Sequence, residues 1–342
     1  IFQPQAIPMM VGAPPLKRYL AFGNLFATVG DSTYRLDRHP TMSKHPITPM
    51  HESDLRLHLA EQTPRKIGLI DALQLAKSFD AIAACYQALV DEGCEIILFD
   101  TLDQTHVEKI GQLMWMMRGK RKIFSVSSSG LEYALTAYWQ QTGFVQPPPP
   151  LPSVGAVEQL LIVSGSAAPG TAAQIQWAID NGFEAVRLDG MKLVDPTLAD
   201  AERRRVIEQA LLSLGQGRNL LLYSALGPDD PAIAATKQQL DTLGLDSHTV
   251  GQRLGTQQGL ILRELLERTR LKRACVTGGD TCGHAAHQLG IYALEILMPV
   301  APGAPLCRAR SHNPTFDGLQ ISLKAGQVGK PDYFGSILRG AL

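Results

Sequence analysis

Four consecutive prolines constrain this chain more than any other feature. The run Gln146-Pro147-Pro148-Pro149-Pro150-Leu151-Pro152 fixes φ at residue after residue and withholds backbone N–H donors. Neither a helix nor a central strand can pass through it, and it favours extended polyproline backbone. The 342 residues are more than one typical domain needs and comfortable for two. The run predicts where the two part: a first domain over 1–146, a proline-rich linker over 147–154, and a second domain over 155–342.

On both sides of the linker, short apolar runs alternate with amphipathic stretches. Before it, strands are predicted at Lys66–Ile70, Glu95–Phe99 and Lys122–Val126, with helical patterns over Ala72–Asp91, Thr105–Met116 and onward from Leu131. The first fifty residues read as irregular: proline and glycine are frequent from Pro4 to Pro15, and a charged, proline-punctuated stretch runs from Tyr34 to Met50. After the linker, strands are predicted at Gln159–Val163, Ala185–Leu188, Leu220–Tyr223, Arg273–Val276 and Leu319–Leu323. Helices are predicted over Thr171–Asp180, Leu198–Leu214, Pro231–Leu243 and Thr256–Thr269. Buried strands alternating with helices imply an α/β fold, here two domains each with a mostly parallel, helix-covered sheet.

Charge narrows the partners. Lys plus Arg and Asp plus Glu both number 32, which leaves no electrostatic footprint for nucleic acid or for an anionic membrane. No apolar run reaches the length of a membrane-spanning helix. A small molecule is the expected partner. Cys85, Cys94, Cys275, Cys282 and Cys307 are odd in number and form no C-x-x-C pair, the pattern of reduced thiols in a cytoplasmic protein. The opening Ile1-Phe2-Gln3-Pro4 has no Met, so residues before Ile1 are expected in the native protein.

Ligands of open α/β sheets bind beyond the carboxyl ends of strands. Four loops qualify: the one after Phe99, Ser127–Gly130, Ser164–Ser166 and Thr277–Gly283. In the last, an apolar strand ends in Thr277, Gly278 and Gly279 follow, then Asp280 and Thr281, then Gly283 opening a helix. Glycines allow close backbone approach, and N–H groups at a helix start attract phosphate oxygens. Asp280 could hold Mg²⁺ through water and Thr281 could donate a hydroxyl. The competing reading is a plain βα turn with Asp280 or Thr281 as helix N-cap. No Walker A loop occurs. Ser164-Gly165-Ser166 and the glycines of Lys324-Ala325-Gly326-Gln327-Val328-Gly329 are weaker candidates for the same ligand. Cys282, His284 and His287 lack a fourth partner for zinc, and no metal site of protein ligands is predicted. Arg35, Arg38 and His45 lie in a basic stretch that could orient an anionic substrate or could be a solvated loop.

Taken in order, several stretches resemble one family. They are Phe22-Gly23-Asn24-Leu25-Phe26-Ala27, Arg35-Leu36-Asp37-Arg38-His39-Pro40-Thr41-Met42, His45-Pro46-Ile47-Thr48-Pro49-Met50, Ser128-Ser129-Gly130-Leu131, Val163-Ser164-Gly165-Ser166, Thr277-Gly278-Gly279-Asp280-Thr281 and Lys324-Ala325-Gly326. The chain resembles the four-carbon acid sugar kinases, which use ATP to phosphorylate acids such as threonate and erythronate. The resemblance implies an N-terminal domain for the sugar acid and a C-terminal domain for the nucleotide. It implies ATP and Mg²⁺ as cofactors, with Ser166, Gly278, Gly279, Asp280, Thr281 and Gly326 at the ATP. The family's Asp-Asp-Phe-Thr-Gly-Ala-type motif, which follows its first strand, is not among these residues. The chain is therefore expected to carry the nucleotide half and the remainder of the substrate half. Three functions remain open: a kinase of this family, a nucleotide- or ligand-binding fragment without turnover, and a different α/β enzyme whose glycine loop takes another phosphorylated ligand. An unpaired sheet edge is expected to draw two copies into a homodimer.

Overall fold

The computed structural model describes residues 5–44, 48–119, 123–151, 153–246 and 249–341. It divides into two compact units, Ile1–Pro149 and Pro150–Leu342.

In the first unit, β1 (Ile7–Met10) is followed by an antiparallel sheet of β2 (Arg18–Ala21), β3 (Asn24–Val29) and β4 (Ser32–Arg35). Helix α1 (Leu55–Ala60), β5 (Ile67–Ile70), α2 (Ala72–Leu75), α3 (Phe79–Asp91), β6 (Ile96–Phe99), α4 (Gln104–Met117), β7 (Val126–Ser127) and α5 (Gly130–Gln141) complete it. Strands β5, β6, β1 and β7 form a parallel sheet in that order. All four residues of β6 are buried, which is why it reads as a continuous apolar run. The helices start where short polar side chains accept first-turn N–H groups: Asp71 from Gln74, Ser78 from Ala81, Asp103 from His106. The cap at Ser78 also breaks the predicted Ala72–Asp91 helix into α2 and α3.

The irregular reading of the first fifty residues needs correction, because β1 to β4 fall within it and β1 lies between two strands. Pro8 argues against a strand interior, but its position resolves the conflict. Ile7 donates its N–H toward β6, to the Glu95 carbonyl at 2.8 Å. Pro8 therefore faces the other side, where β7 pairs only with Met9 and Met10, and its missing donor deprives no neighbour. The short β7 is a second correction: residues 123–125 of the predicted Lys122–Val126 strand are not in a strand. The loop after Phe99 also finds a use. The fully buried carboxylate of Asp100 accepts from the N–H groups of Phe22 (2.5 Å), Gly23 (2.9 Å) and Ala72 (2.8 Å). It thereby fixes the β2–β3 turn, in which Phe22 has φ +49°.

The second unit holds β8 (Leu161–Ser164), α6 (Pro169–Asp180), β9 (Glu184–Arg187), α7 (Gly190–Val194), α8 (Ala199–Gly215), β10 (Leu220–Tyr223), α9 (Pro231–Thr242) and α10 (Val250–Thr269). It continues with β11 (Arg273–Thr277), α11 (Gly279–Gln288), β12 (Ile291–Ala301), β13 (Ala304–Ser311), β14 (Gln320–Lys324) and α12 (Tyr333–Arg339). The sheet order is β12-β13-β14-β11-β8-β10-β9, with β14 through β9 parallel and the β12–β13 hairpin antiparallel at one edge. One face packs Leu161, Val163 and Val276 against α8 and α10; the other packs Ile162, Ile175 and Phe334 with α6 and α12. The fold class is thus α/β with a mostly parallel sheet in each unit. The hairpin and α12 were not expected from the sequence.

Two devices set the positions of the helices. Gly251, Gly255 and Gly259 recur every fourth residue along α10. A methyl added at Gly255 would lie 2.7 Å from His284 Cδ2, and one at Gly259 would lie 3.2 Å from Ala285 Cα. Glycine in a helix costs about 1 kcal/mol; here it lets α11 lie directly against α10. At the far end of β11, buried Arg273 donates to the carbonyls of Ile337 (2.7 Å), Leu338 (3.2 Å) and Gly155 (2.9 Å). Its cation thus closes off the last carbonyls of α12.

Candidate functional site

Strands β14, β11 and β8 are neighbours whose ends are level, Lys324 opposite Thr277 and Thr277 opposite Ser164. The loops that follow are therefore side by side. Gly165 donates its N–H to the Thr277 carbonyl (2.9 Å), and Gly278 donates to the Lys324 carbonyl (3.0 Å). A methyl added to Gly165 would lie 2.0 Å from Thr281 Oγ1, one on Gly278 3.2 Å from the Ser166 nitrogen, and one on Gly326 2.1 Å from Ser166 Oγ. Ser166, Gly278, Gly279, Asp280, Thr281 and Gly326 are thus brought to one place from three separate parts of the chain.

Gly278 has φ +116° and is itself the N-cap of α11, with no side-chain cap. Neither Asp280 nor Thr281 caps this helix, so the plain capping turn does not describe the loop. The N–H groups of Gly279, Asp280 and Thr281 begin the helix and have no carbonyl one turn back to bond. A methyl on Gly279 would meet nothing within 4 Å, so open space lies over the helix start. Thr281 is buried and its hydroxyl points inward, donating to Gln258 Oε1 at 3.2 Å. Gln258, fully buried on α10, also donates to the Ser164 carbonyl (3.2 Å) and to Ser224 Oγ (3.3 Å). One side chain therefore ties α11 to the end of β8. Asp280 is exposed, with its carboxylate toward the first turn of α10, where a methyl on Gly251 would be 2.9 Å from Oδ2. Ser166 Oγ accepts from Ala168 N–H (3.2 Å) at the start of α6.

Sequence reasoning passed over Lys324 while noting the glycines after it. The side chain is fully buried, and its Nζ donates to Thr277 Oγ1 (3.1 Å), Thr171 Oγ1 (3.4 Å) and the Ala325 carbonyl (3.1 Å). Burial lowers its pKa to about 8. A charged residue closing a strand buried on both faces was the available signal. Desolvation likewise pushes the thiols of Cys275 and Cys282 beside it up to about 12. A cleft of about 720 Å³, bordered by Arg187, Asp189, Met191 and Asp230, opens beyond the ends of β9 and β10 on the same edge of the sheet. That volume is in the range of small-molecule sites.

The first unit offers less. Arg35 is committed to Asp37, with Nε donating to Oδ1 at 2.8 Å, and this hydrogen-bonded pairing holds the Asp37 carboxyl below its ordinary range. Arg38 is exposed. His45 lies outside the described residues. Between them, His39 is buried; its Nδ1 accepts from the N–H groups of Thr41 and Met42 (both 3.1 Å), while Nε2 has no partner among the described residues. Burial, and then the charge of Arg18, lower its pKa. Ser128 and Gly130 are tied to the end of β1: Ser128 Oγ donates to the Val11 carbonyl (2.8 Å), and a methyl on Gly130 would lie 2.0 Å from the Gly12 carbonyl oxygen. Among the described residues, no group of three or more His, Cys, Asp and Glu could hold a metal ion, and no helix is long and apolar enough to cross a membrane. The five cysteines are unpaired.

Residues 161–334 match a family model described as a nucleotide-binding C-terminal domain, and residues 3–135 match one described as a sugar-binding N-terminal domain. The chain is 46% identical over 335 residues to a 3-oxo-isoapionate kinase of Paraburkholderia graminis, covering 98% of this chain and 71% of that protein. It is 28% identical over 329 residues to a 3-oxo-tetronate kinase of Cupriavidus necator, covering 95% of this chain and 69% of that protein. A solved structure from Salmonella typhimurium LT2 shares the fold with a TM-score of 0.72 at 22% identity, over 98% of this chain and 74% of the other.

Proposed function

The chain belongs to the four-carbon acid sugar kinase family, and from that premise we propose that it transfers the γ-phosphoryl group of ATP to a hydroxyl of a four-carbon sugar acid, with a 3-oxo acid as the favoured substrate. The 3-oxo preference follows the two kinases named above. The observation that carries the nucleotide assignment is the open helix start at Gly279, next to Gly278, on which an added methyl would lie 3.2 Å from the Ser166 nitrogen. First-turn N–H groups there have room for phosphate oxygens and no competing partner.

The reaction forms an O–P bond from the acceptor hydroxyl and breaks the bond from γ-phosphorus to the bridging oxygen; the hydroxyl proton leaves with the attack. Such transfer relies on positioning and charge neutralisation. In this reading the N–H groups of Gly279, Asp280 and Thr281 orient the phosphates. Gln258 keeps that helix start in place through Thr281. Asp280 suits Mg²⁺, which takes one or two carboxylates, phosphate oxygens and waters rather than a cage of protein ligands, and so does not require a cluster of acidic residues. When bound, Mg²⁺ would neutralise phosphate charge. The nucleoside end is assigned to the cleft beside Met191. In 1–146, the sugar-acid part of the chain in this reading, Arg38 is freer to meet a substrate carboxylate than Arg35; His45 belongs to the same assignment. Five free thiols suit a reducing cytoplasm. Along β12, at the sheet edge, Tyr292, Leu294 and Ile296 are exposed, which supports pairing with a second copy; a monomeric mass in solution would refute the homodimer.

The test is calorimetric titration of ATP–Mg²⁺ into wild type and Gly279→Val, together with a phosphorylation screen over 3-oxo and simple four-carbon sugar acids. The substitution has space in the fold, so the variant should stay folded and lose ATP affinity. Unchanged affinity sinks the loop assignment. Binding without turnover on any sugar acid favours the ligand-binding alternative.

A further inference from the structure

Among the described residues, Lys324 is a buried ammonium with no acid in an ion pair with it. All three acceptors of its Nζ are neutral: two threonine hydroxyls and one carbonyl. No carboxylate forms an ion pair with it among the described residues. The titratable groups around it carry no compensating charge either. Cys275 on β11 and Cys282 on α11 are thiols pushed up to about 12. Tyr333 on α12, whose ring centroid is 5.6 Å from Nζ, is pushed up as well by burial; its hydroxyl is engaged with Ser322 (2.6 Å) and the Ala304 carbonyl (3.0 Å).

Two helix starts add to the imbalance. Thr171, in the first turn of α6, receives one of the Nζ hydrogen bonds and donates its own hydroxyl hydrogen bond to the Gly326 carbonyl at 2.9 Å. Thr277, which receives another, immediately precedes the N-cap of α11. Helix N-termini carry partial positive charge. An ammonium beside two of them would ordinarily be disfavoured, and burying it without a counter-charge costs further. Such an arrangement is sustained when an anion completes it.

We propose that Lys324 is a positioning residue for phosphate: acting through Thr171, Thr277 and the Ala325 carbonyl, its buried ammonium supplies a fixed positive charge beneath the loop at Gly278–Thr281, and the counter-charge is the polyphosphate of the nucleotide. The proposal rests on the nucleotide reading of that loop and goes further, because it assigns phosphate affinity to a side chain that the ligand does not touch. A purely structural lysine would tie the three loops together and nothing more.

The two roles separate experimentally. Affinities for AMP, ADP and ATP are measured calorimetrically on wild type, Lys324→Met and Lys324→Arg, with melting temperatures of the ligand-free proteins. Removing a charge a few ångströms from the phosphates is expected to weaken ATP by about 10- to 100-fold. The loss should grow from AMP to ATP, and Lys324→Arg should recover part of it. The ligand-free Lys324→Met protein should melt no lower than wild type, since an apolar side chain replaces an unpaired buried charge. An equal loss for all three nucleotides, no loss for ATP, or a lowered melting temperature with unchanged affinity overturns the proposal. Should the Met variant not fold, the wild-type protein decides. The Lys324 ammonium, followed by carbon NMR of labelled lysine, should titrate near 8 without ligand and clearly higher with ADP bound; an unmoved titration overturns the proposal. Failure of wild type to bind any nucleotide overturns the loop assignment itself, a distinct result.

Discussion

Replacing Gly326 by alanine tests whether three loops meet as described. The added methyl would lie 2.1 Å from Ser166 Oγ, 2.8 Å from Ala168 Cβ and 3.2 Å from Ser166 Cβ, where carbon atoms pack comfortably at about 3.5–4.0 Å. The Ser166 hydroxyl can rotate away, but it then gives up the hydrogen bond from Ala168 N–H, a loss of about 1 kcal/mol. The Ala168 methyl cannot rotate away, so the backbone at 325–326 or 166–168 must shift, at roughly 1–3 kcal/mol. Together these give about 2–4 kcal/mol, and for a unit of this size each kcal/mol lowers the melting temperature by about 2–4 °C. Thermal unfolding should therefore show a drop of roughly 5–15 °C, with weakened ATP binding. Ser166→Gly added to Gly326→Ala removes two of the three clashing atoms and should recover part of the loss, a coupling that a double-mutant cycle measures. Gly279→Ala is the control. It has nothing within 4 Å and should melt within about 2 °C of wild type. Gly326→Ala melting like wild type with full ATP affinity would refute the convergence of the loops.

Asp100→Ala leaves three backbone donors without their carboxylate and should destabilise the first unit by about 3–5 kcal/mol; a change under about 1 kcal/mol in urea unfolding would contradict the anchoring role. The imidazole of His39 is held below its ordinary value by burial, so the unfolded chain takes up the proton first. Its contribution is full above about pH 6.5 and is lost as pH falls through the lower folded value; urea midpoints should drop on acidification, and His39→Gln should flatten that slope. Met191→Trp fills the cleft beside β9 and should raise the ATP dissociation constant by about tenfold without changing the melting temperature; unaltered binding would move the nucleoside end elsewhere.

The parts of the fold that could be read from the residues are those where one physical effect dominates. Strands β6, β8, β10 and β11 are buried on nearly every residue, so each carries three or more consecutive apolar residues between amphipathic helices. The missed strands are those where signals conflict. In β1, Pro8 speaks against a strand until the side it faces is known. Strand β12 is an apolar run interrupted by Glu295 and Pro299, and along it Tyr292, Leu294 and Ile296 are exposed while Met298 is buried, so its burial changes along its length. The site divides in the same way. The glycine loop after an apolar strand is a local pattern, although its helix begins at Gly279, four residues before the expected start at Gly283. Lys324, Thr171 and Gln258 gain their roles only from the sheet order, which sets residues far apart in the chain beside one another.

That sheet order also bears on how the protein is made. Strands β8 and β11 touch, yet everything from α6 to α10 is synthesised between them, and the third loop follows β14, the last strand of the unit. In the proposed nucleotide reading, a nascent chain leaving the ribosome can build β8, β9 and β10 and still lack part of the site until Gly326 emerges. A nucleotide bound there would not guide early folding of this unit; it would lock the finished sheet, by binding the native state alone. Nucleotide capture by a growing chain would report completion of the whole unit in a single step.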